Sequence, residues 1–163
     1  MKSKLFGICL IIVSIVTLCS CNADPDADLP DITRDAEAVA TVGIVSSESI
    51  MTEYFDKGSY PGVTTTEGDD SICLNYNDAS VSMDLSSIIP SLGTVDVTIR
   101  GQIVMKYEAY PEYYPATMKF NIYFSYAGEN HTLELTVRAT GVSSITASFV
   151  KVDGVRYNPS SLN

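Results

Sequence analysis

Residues 32–163 predict a mainly β domain: an antiparallel meander, curled into a barrel-like form or a two-sheet sandwich, behind a short N-terminal helical segment. Three features of the chain predict it. Five stretches alternate apolar and polar residues with a period of two, the mark of strands with one wet face. Turn residues punctuate them, and one run is too long to be a flat strand and carries a glycine in its middle.

Taken in order, Ala79, Val81, Met83 and Leu85 alternate with Ser80, Ser82 and Asp84. Val95, Val97 and Ile99 alternate with Asp96, Thr98 and Arg100. Met118, Phe120, Ile122, Phe124 and Tyr126 are spaced by Thr117, Lys119, Asn121, Tyr123 and Ser125. Leu133, Leu135, Val137 and Ala139 face away from Thr132, Glu134, Thr136 and Arg138. Ile145, Ala147 and Phe149 form the last set, against Thr146 and Ser148. Ala127-Gly128-Glu129-Asn130 reads as a hairpin turn, Gly141 marks another, and Asp153-Gly154 is a favoured two-residue turn. The long run is 94–108; Gly101 at its centre allows a bulge or bend, and a bent long strand belongs to a sheet that curls. Successive hairpins favour a meander, in which each strand pairs with its neighbour in sequence.

Upstream, Ile50, Met51, Tyr54 and Phe55 have helical spacing, with Ser47 or Ser49 as N-cap and Gly58 as the stop. The preceding 39–45, Val-Ala-Thr-Val-Gly-Ile-Val, fits strand or helix equally, and pattern leaves 36–46 open. The stretch 58–71, rich in Gly, Thr and Asp, reads as a long surface loop.

The first 20 residues are a secretion signal by their layout: Lys2 and Lys4, an apolar run from Leu5 to Leu18, and small Ser20 before the cut. That apolar run falls short of the ~20 residues needed to span a bilayer. Leu18-Cys19-Ser20-Cys21 resembles the lipobox of bacterial lipoproteins, with Cys19 a mild departure where a small residue is usual. The resemblance implies that Cys21 is acylated and becomes the new N-terminus. It makes the membrane a partner through two or three acyl chains, enough to anchor stably at ~0.8 kcal/mol per buried CH₂. Residues 21–31 then form an acidic, proline-spaced tether, expected to be extended. Acids just after the acylated cysteine also resemble the export signal of Bacteroidetes-type surface lipoproteins. Display on the cell surface and retention in the periplasm both stay open. The tether's Asp-x-Asp-x-Asp lacks the later Gly and Glu of a calcium loop, having Leu29 and Asp35 there.

The chain carries a formal charge of −10. Removing the signal takes Lys2 and Lys4 and no acid, leaving 8 basic against 20 acidic side chains, a net −12. That sign excludes nucleic acid, whose phosphates demand cations. Cys9 and Cys19 leave with the signal and Cys21 is acylated, so Cys73 remains alone, without a disulfide partner. Flanked by Ile72 and Leu74, it reads as a buried, inert thiol.

Catalytic and metal chemistry find little material. His131, the only histidine, reads as a solvated turn residue, with no nucleophile elbow in sight. One His and one free Cys are too few for zinc, and no cofactor is expected. The acids Asp69-Asp70 and Glu108 with Glu112 read as solvated loop carboxylates. The segment 106–115, K-Y-E-A-Y-P-E-Y-Y-P, is over-specified for a hairpin connection. Tyr107, Tyr110, Tyr113 and Tyr114 are either rings that cap the sheet or a surface for stacking on sugars or peptides; Tyr54 and Tyr60 are possible additions to it. Asp70-Ser71-Ile72 resembles the O-glycosylation signal of Bacteroidetes-type bacteria, which implies modification at Ser71.

The profile as a whole resembles small lipoproteins of Bacteroidetes, some with calycin-like β folds. The expectation is a non-catalytic envelope lipoprotein, lipid-anchored to the outer membrane, that binds a glycan, peptide or envelope partner through the Tyr/Pro-rich loop. The alternatives are a structural or assembly subunit of an envelope complex, or an inhibitor of a protease or lysozyme-like enzyme.

Overall fold

The computed structural model describes residues 28–110, 112–141 and 144–162. The expected signal peptide, the expected acylation site Cys21, the expected tether up to Ala27 and Pro111 of the Tyr/Pro-rich loop lie outside the described residues. Among the described residues, one α-helix, α1 (Arg34–Lys57), is followed by seven strands: β1 (Val63–Glu67), β2 (Ser71–Asp84), β3 (Thr94–Tyr107), β4 (Ala116–Tyr126), β5 (Glu129–Gly141), β6 (Ser144–Val152) and β7 (Val155–Tyr157). A 3-10 turn, Pro159–Ser161, follows β7. The strands form one antiparallel sheet in the order β1 to β7, so the meander is complete and β1 and β7 are its two edges.

The sheet curls around the helix. Strands β2 and β6 are four places apart, which would separate them by ~19 Å in a flat sheet at ~4.8 Å per strand. Helix α1 nevertheless approaches both, and β5 between them. Its middle is buried on more than one side, at Val42, Gly43, Ile44, Ser46, Ser47, Ile50 and Met51. Small residues allow this close seating. Ser47 Oγ turns back to donate to Gly43 O at 2.7 Å, Ser46 Oγ lies 3.4 Å from Met83 Sδ, and the buried Tyr76 hydroxyl donates to Ser47 O at 3.3 Å. The concave face supplies the opposing wall, with Leu74, Ile99, Ile103, Met105, Met118 and Ile122 all fully buried.

The helix is much longer than its sequence signals. Thr33 caps it, accepting from Ala36 N at 3.2 Å, with Asp35 and Glu37 in the first turn. The ambiguous 36–46 is helix, and Ser47 and Ser49 are interior residues rather than caps. Gly58 ends it in the left-handed region, as expected. The loop 58–71 is also partly corrected, because its Val-Thr-Thr-Thr-Glu forms edge strand β1. Thr is a good strand former but does not alternate here, which hid the element.

Two bulges reset which residues face inward. In β2, Tyr76 pairs with Gly101 and Ala79 with Ile99, so Asn77 and Asp78 together oppose Arg100. The inward set therefore changes from Ile72, Leu74 and Tyr76 to Ala79, Val81 and Met83. In β6, Phe149 pairs with Thr136 and Ala147 with Val137, leaving Ser148 as the extra residue. Phe149 consequently turns to the outer face, against expectation, and Val150 and Val152 take the core positions. Cys73 is likewise not in the core: it lies half-buried in the outer row, 3.7 Å from both Asn75 Oδ1 and Gln102 Oε1. The N-terminal entry is clipped to the chain's end, since Asn158 N donates to Pro30 O at 2.8 Å and Ile32 N to Ser161 Oγ at 2.7 Å.

Candidate functional site

With α1 inside the curl, the outer face of β2–β5 holds the arrangement of side chains with most chemistry. Period-two alternation puts Arg100, Tyr123 and Thr132 in one row across β3, β4 and β5, where they are direct register partners. Thr98, Ser125 and Asn130 make the adjacent row. The β2 bulge extends the first row: Asp78, at φ 55°, turns its carboxylate onto Arg100. Arg100 Nε and Nη2 donate to its two oxygens, the latter at 2.9 Å. The guanidinium holds the Asp78 carboxyl below the usual carboxylate range, and the carboxylate raises Arg100 in return. Ser80 and Thr98 hydroxyls meet at 2.9 Å.

All of these residues except Ser80 line a cleft of about 380 Å³. Tyr123 stands in it with 59% of its surface exposed, on the central strand of the sheet. A second hollow of about 240 Å³ continues along the same face, with Gln102, Asn121 and Glu134 in register across it. There Lys151 Nζ bonds Glu134 Oε1 at 2.7 Å, and the Arg156 guanidinium lies 5.1 Å from the centre of the Phe149 ring.

His131 is not the solvated residue its turn position implies. Its ring sits 5.0 Å from that of Tyr126 and 5.7 Å from that of Phe124, with Nδ1 2.8 Å from Asp153 Oδ2. The other Asp153 oxygen accepts from Thr132 N at 2.7 Å. This pair ties the β4–β5 hairpin to the β6–β7 turn. Ser125 and Thr132 project from the opposite face, so neither hydroxyl is set against the imidazole.

The four tyrosines of the β3–β4 connection do not share one exposed surface. Tyr107 ends β3 and is 3% exposed, its ring meeting Tyr113 edge-on at 6.0 Å. Tyr113 and Tyr114 are half-buried, and only Tyr110 stands out, at 49%. The Tyr107 and Tyr114 hydroxyls are buried without a hydrogen-bond partner. Burial and the neighbouring tyrosines push the Tyr107 phenol well above its ordinary range. Tyr54 and Tyr60 belong elsewhere, bonded to Thr65 Oγ1 at 2.9 Å and Ser80 O at 2.6 Å. Glu108 clasps Arg138 through two hydrogen bonds of 2.9 and 2.7 Å, which holds its carboxyl below the usual range. Ser71 lies half-buried beside the β1–β2 turn, its backbone carbonyl accepting from Gly68 N at 2.8 Å. Among the described residues no group of three His, Cys, Asp or Glu is placed to hold a metal ion, and no helix is long and apolar enough to cross a membrane.

The cleft escaped sequence reading for a definable reason. Tyr123 and Arg100 appear there only as polar members of alternating strands, and Asp78 is invisible until the bulge is known. The available signal was a large aromatic in an outward row. None of the protein-family models, curated proteins or solved structures compared with this chain matches it.

Proposed function

We propose that this protein is a non-catalytic recognition module of the bacterial envelope, anchored through acylated Cys21 to the outer membrane and binding its partner on the outer surface of the sheet. The observation that carries the reading is the position of α1. A curled sheet with an empty interior would be a cup for a small molecule, but here the helix occupies that interior through Gly43, Ser46, Ser47 and Ile50. Recognition then falls to the exterior. The polar outer rows, the exposed Tyr123 and Tyr110, and the lipobox at residues 18–21 support it.

The test has two arms. Cells grown with labelled palmitate are expected to label the wild-type chain and not Cys21→Ala; absence of label in the wild type, or its retention in the variant, overturns the anchor. Full-length protein is expected to pull down purified cell-envelope polysaccharide or peptide fractions without altering them. Turnover of any fraction would overturn the non-catalytic assignment.

A second reading, an assembly subunit, draws on edge strand β1, which offers an extended Val-Thr-Thr-Thr-Glu segment for pairing with another chain. Crosslinking in intact cells that returns only the monomer would reject it.

A further inference from the structure

We infer that the outer face of β2–β5 is a binding site for a neutral oligosaccharide, with Tyr123 as the stacking platform and the Arg100–Asp78 pair as the hydrogen-bonding arm. This rests on the reading that recognition is external, and it names the ligand class and the residues.

Tyr123 is the first reason. A tyrosine 59% exposed in the middle of a seven-stranded sheet, flanked in register by Arg100 and Thr132, leaves a flat apolar ring open to solvent among polar neighbours. Stacking that ring on an apolar face removes both from water, and few rotors have to be frozen to do it. A pyranose presents such a face of C–H groups, ringed by hydroxyls.

The polar groups around the ring match those hydroxyls. A sugar hydroxyl both donates and accepts. The two-point contact between Arg100 and Asp78 fixes donors and acceptors side by side, so little side-chain freedom is lost on binding. Thr98, Ser125 and Asn130 add further groups of both kinds at the edge of the cleft. The charge balance argues for a neutral ligand. Arg100 is already compensated by Asp78, an anion would have to displace that carboxylate, and the chain as a whole is at −10.

Position on the sheet argues against a peptide. Strand addition needs an edge, whereas both neighbours of β3 and β4 are already paired, so no backbone is available there. Continuity of the face argues for several sugar units rather than one. The next two rows continue the design, with a compensated Lys151–Glu134 pair in the first and a second aromatic, Phe149 opposite Thr136, in the second, both beside the 240 Å³ hollow. Rows on one face of a strand are ~6.8 Å apart, so an extended ligand can reach from Tyr123 towards Phe149.

The experiment is isothermal titration of the full chain in detergent with cellohexaose, xylohexaose, mannohexaose, maltohexaose and chitohexaose, with polygalacturonate as the anionic comparison. At least one neutral hexasaccharide is expected to bind. Tyr123→Ala should weaken it about tenfold, the value of one good stacking contact, and Tyr123→Phe should keep it within about twofold by the same stacking argument. Arg100→Gln should also weaken it, and Tyr110→Ala should not. Because Tyr123 is exposed, its variants should unfold at the wild-type temperature, which separates lost binding from lost fold. The inference is overturned if no neutral hexasaccharide binds, if binding survives Tyr123→Ala, or if polygalacturonate is the only ligand. Should binding respond to Tyr110→Ala instead, this site fails while external recognition stands. Loss of palmitate labelling or detection of turnover, by contrast, strikes the broader reading alone.

Discussion

Gly43 of α1 rests directly on the ring of Phe124 in β4: a methyl group added at Gly43 would lie 2.9 Å from Phe124 Cε1 and 3.3 Å from Leu133 Cδ2. A glycine inside a helix costs ~0.5–1 kcal/mol relative to alanine, so something must offset it here. Close seating of the helix in the curl does so, since Phe124 and Leu133 are both buried core residues.

Gly43→Ala is therefore expected to destabilise the domain by ~1–3 kcal/mol, as overpacking of a filled core does, in spite of its better helix propensity. Phe124→Leu in the same chain should recover part of the loss by vacating the ring edge. Urea unfolding of the four chains of this cycle measures the coupling. A Gly43→Ala chain as stable as wild type would mean that α1 does not press on β4 at this point.

Gly101 is constrained more severely, by backbone on both counts. Its φ is 111°, a region L-residues rarely adopt. A Cβ there would collide with the Asn121 carbonyl oxygen and lie 3.0 Å from Ile122 Cα. Neither group can swing away, because β3 and β4 are paired at this point. Gly101→Ala is expected to cost ~3 kcal/mol or more, because a strained φ alone costs ~1–3 kcal/mol and the backbone collision adds to it. Thermal unfolding by circular dichroism would read it, and a loss under ~1 kcal/mol would refute the close approach.

These two glycines also mark how far the sequence can be read. That Gly101 has a special backbone was legible because a fourteen-residue strand rarely runs flat, but it takes the form of a φ of 111° within β3, and the bulge itself lies opposite, at Asn77 and Asp78 of β2. The hairpins were legible through turn chemistry: Ala127-Gly128 and Asp153-Gly154 adopt the left-handed pairs that two-residue turns need. Gly43 gave no such signal. Surrounded by Val42, Ile44 and Val45, it sits in a helix buried on several sides, which shows neither the 3.6 stripe of a surface helix nor clean alternation. The candidate site was less legible still. A strand's outward row looks alike whether it is inert or functional, and the bulge that delivers Asp78 to Arg100 depends on register with β3 rather than on local residues. The Tyr/Pro-rich segment stands out by composition, but composition does not report that Tyr107 is inside.

Glu48 on α1 gives a prediction in pH. It is half-buried, and desolvation pushes its carboxyl up to about 7. In the unfolded chain the group titrates near ~4.3. Between those values the folded protein keeps a proton that the unfolded chain gives up, so this residue's contribution weakens as pH rises through that window. Glu48→Gln removes the titration. The variant should match wild type at pH 4 and exceed it at pH 8; solvent screening of a carboxyl that is only half-buried holds the gain below the full linkage value, to the order of 1–2 kcal/mol. Paired urea titrations at the two pH values check it; a difference that does not change with pH would place the carboxyl in water.

Tyr107 and Tyr114 carry hydroxyls that are buried with no partner. Burial of an unsatisfied hydroxyl costs ~1–3 kcal/mol, whereas the ring itself contributes packing. For Tyr107 that packing includes the edge-on contact with Tyr113 at 6.0 Å, which a phenylalanine would keep. Tyr107→Phe is thus expected to stabilise the fold, by about 1 kcal/mol, and Tyr114→Phe to act in the same direction. Tyr107→Ala should instead destabilise by ~3–5 kcal/mol, the cost of emptying an aromatic site in a core. The opposite signs of the two Tyr107 substitutions, read from unfolding midpoints, separate the hydroxyl from the ring. If Tyr107→Phe lost stability, the hydroxyl would have a bonding partner in solution, and the β3–β4 connection would be held by it rather than by packing alone.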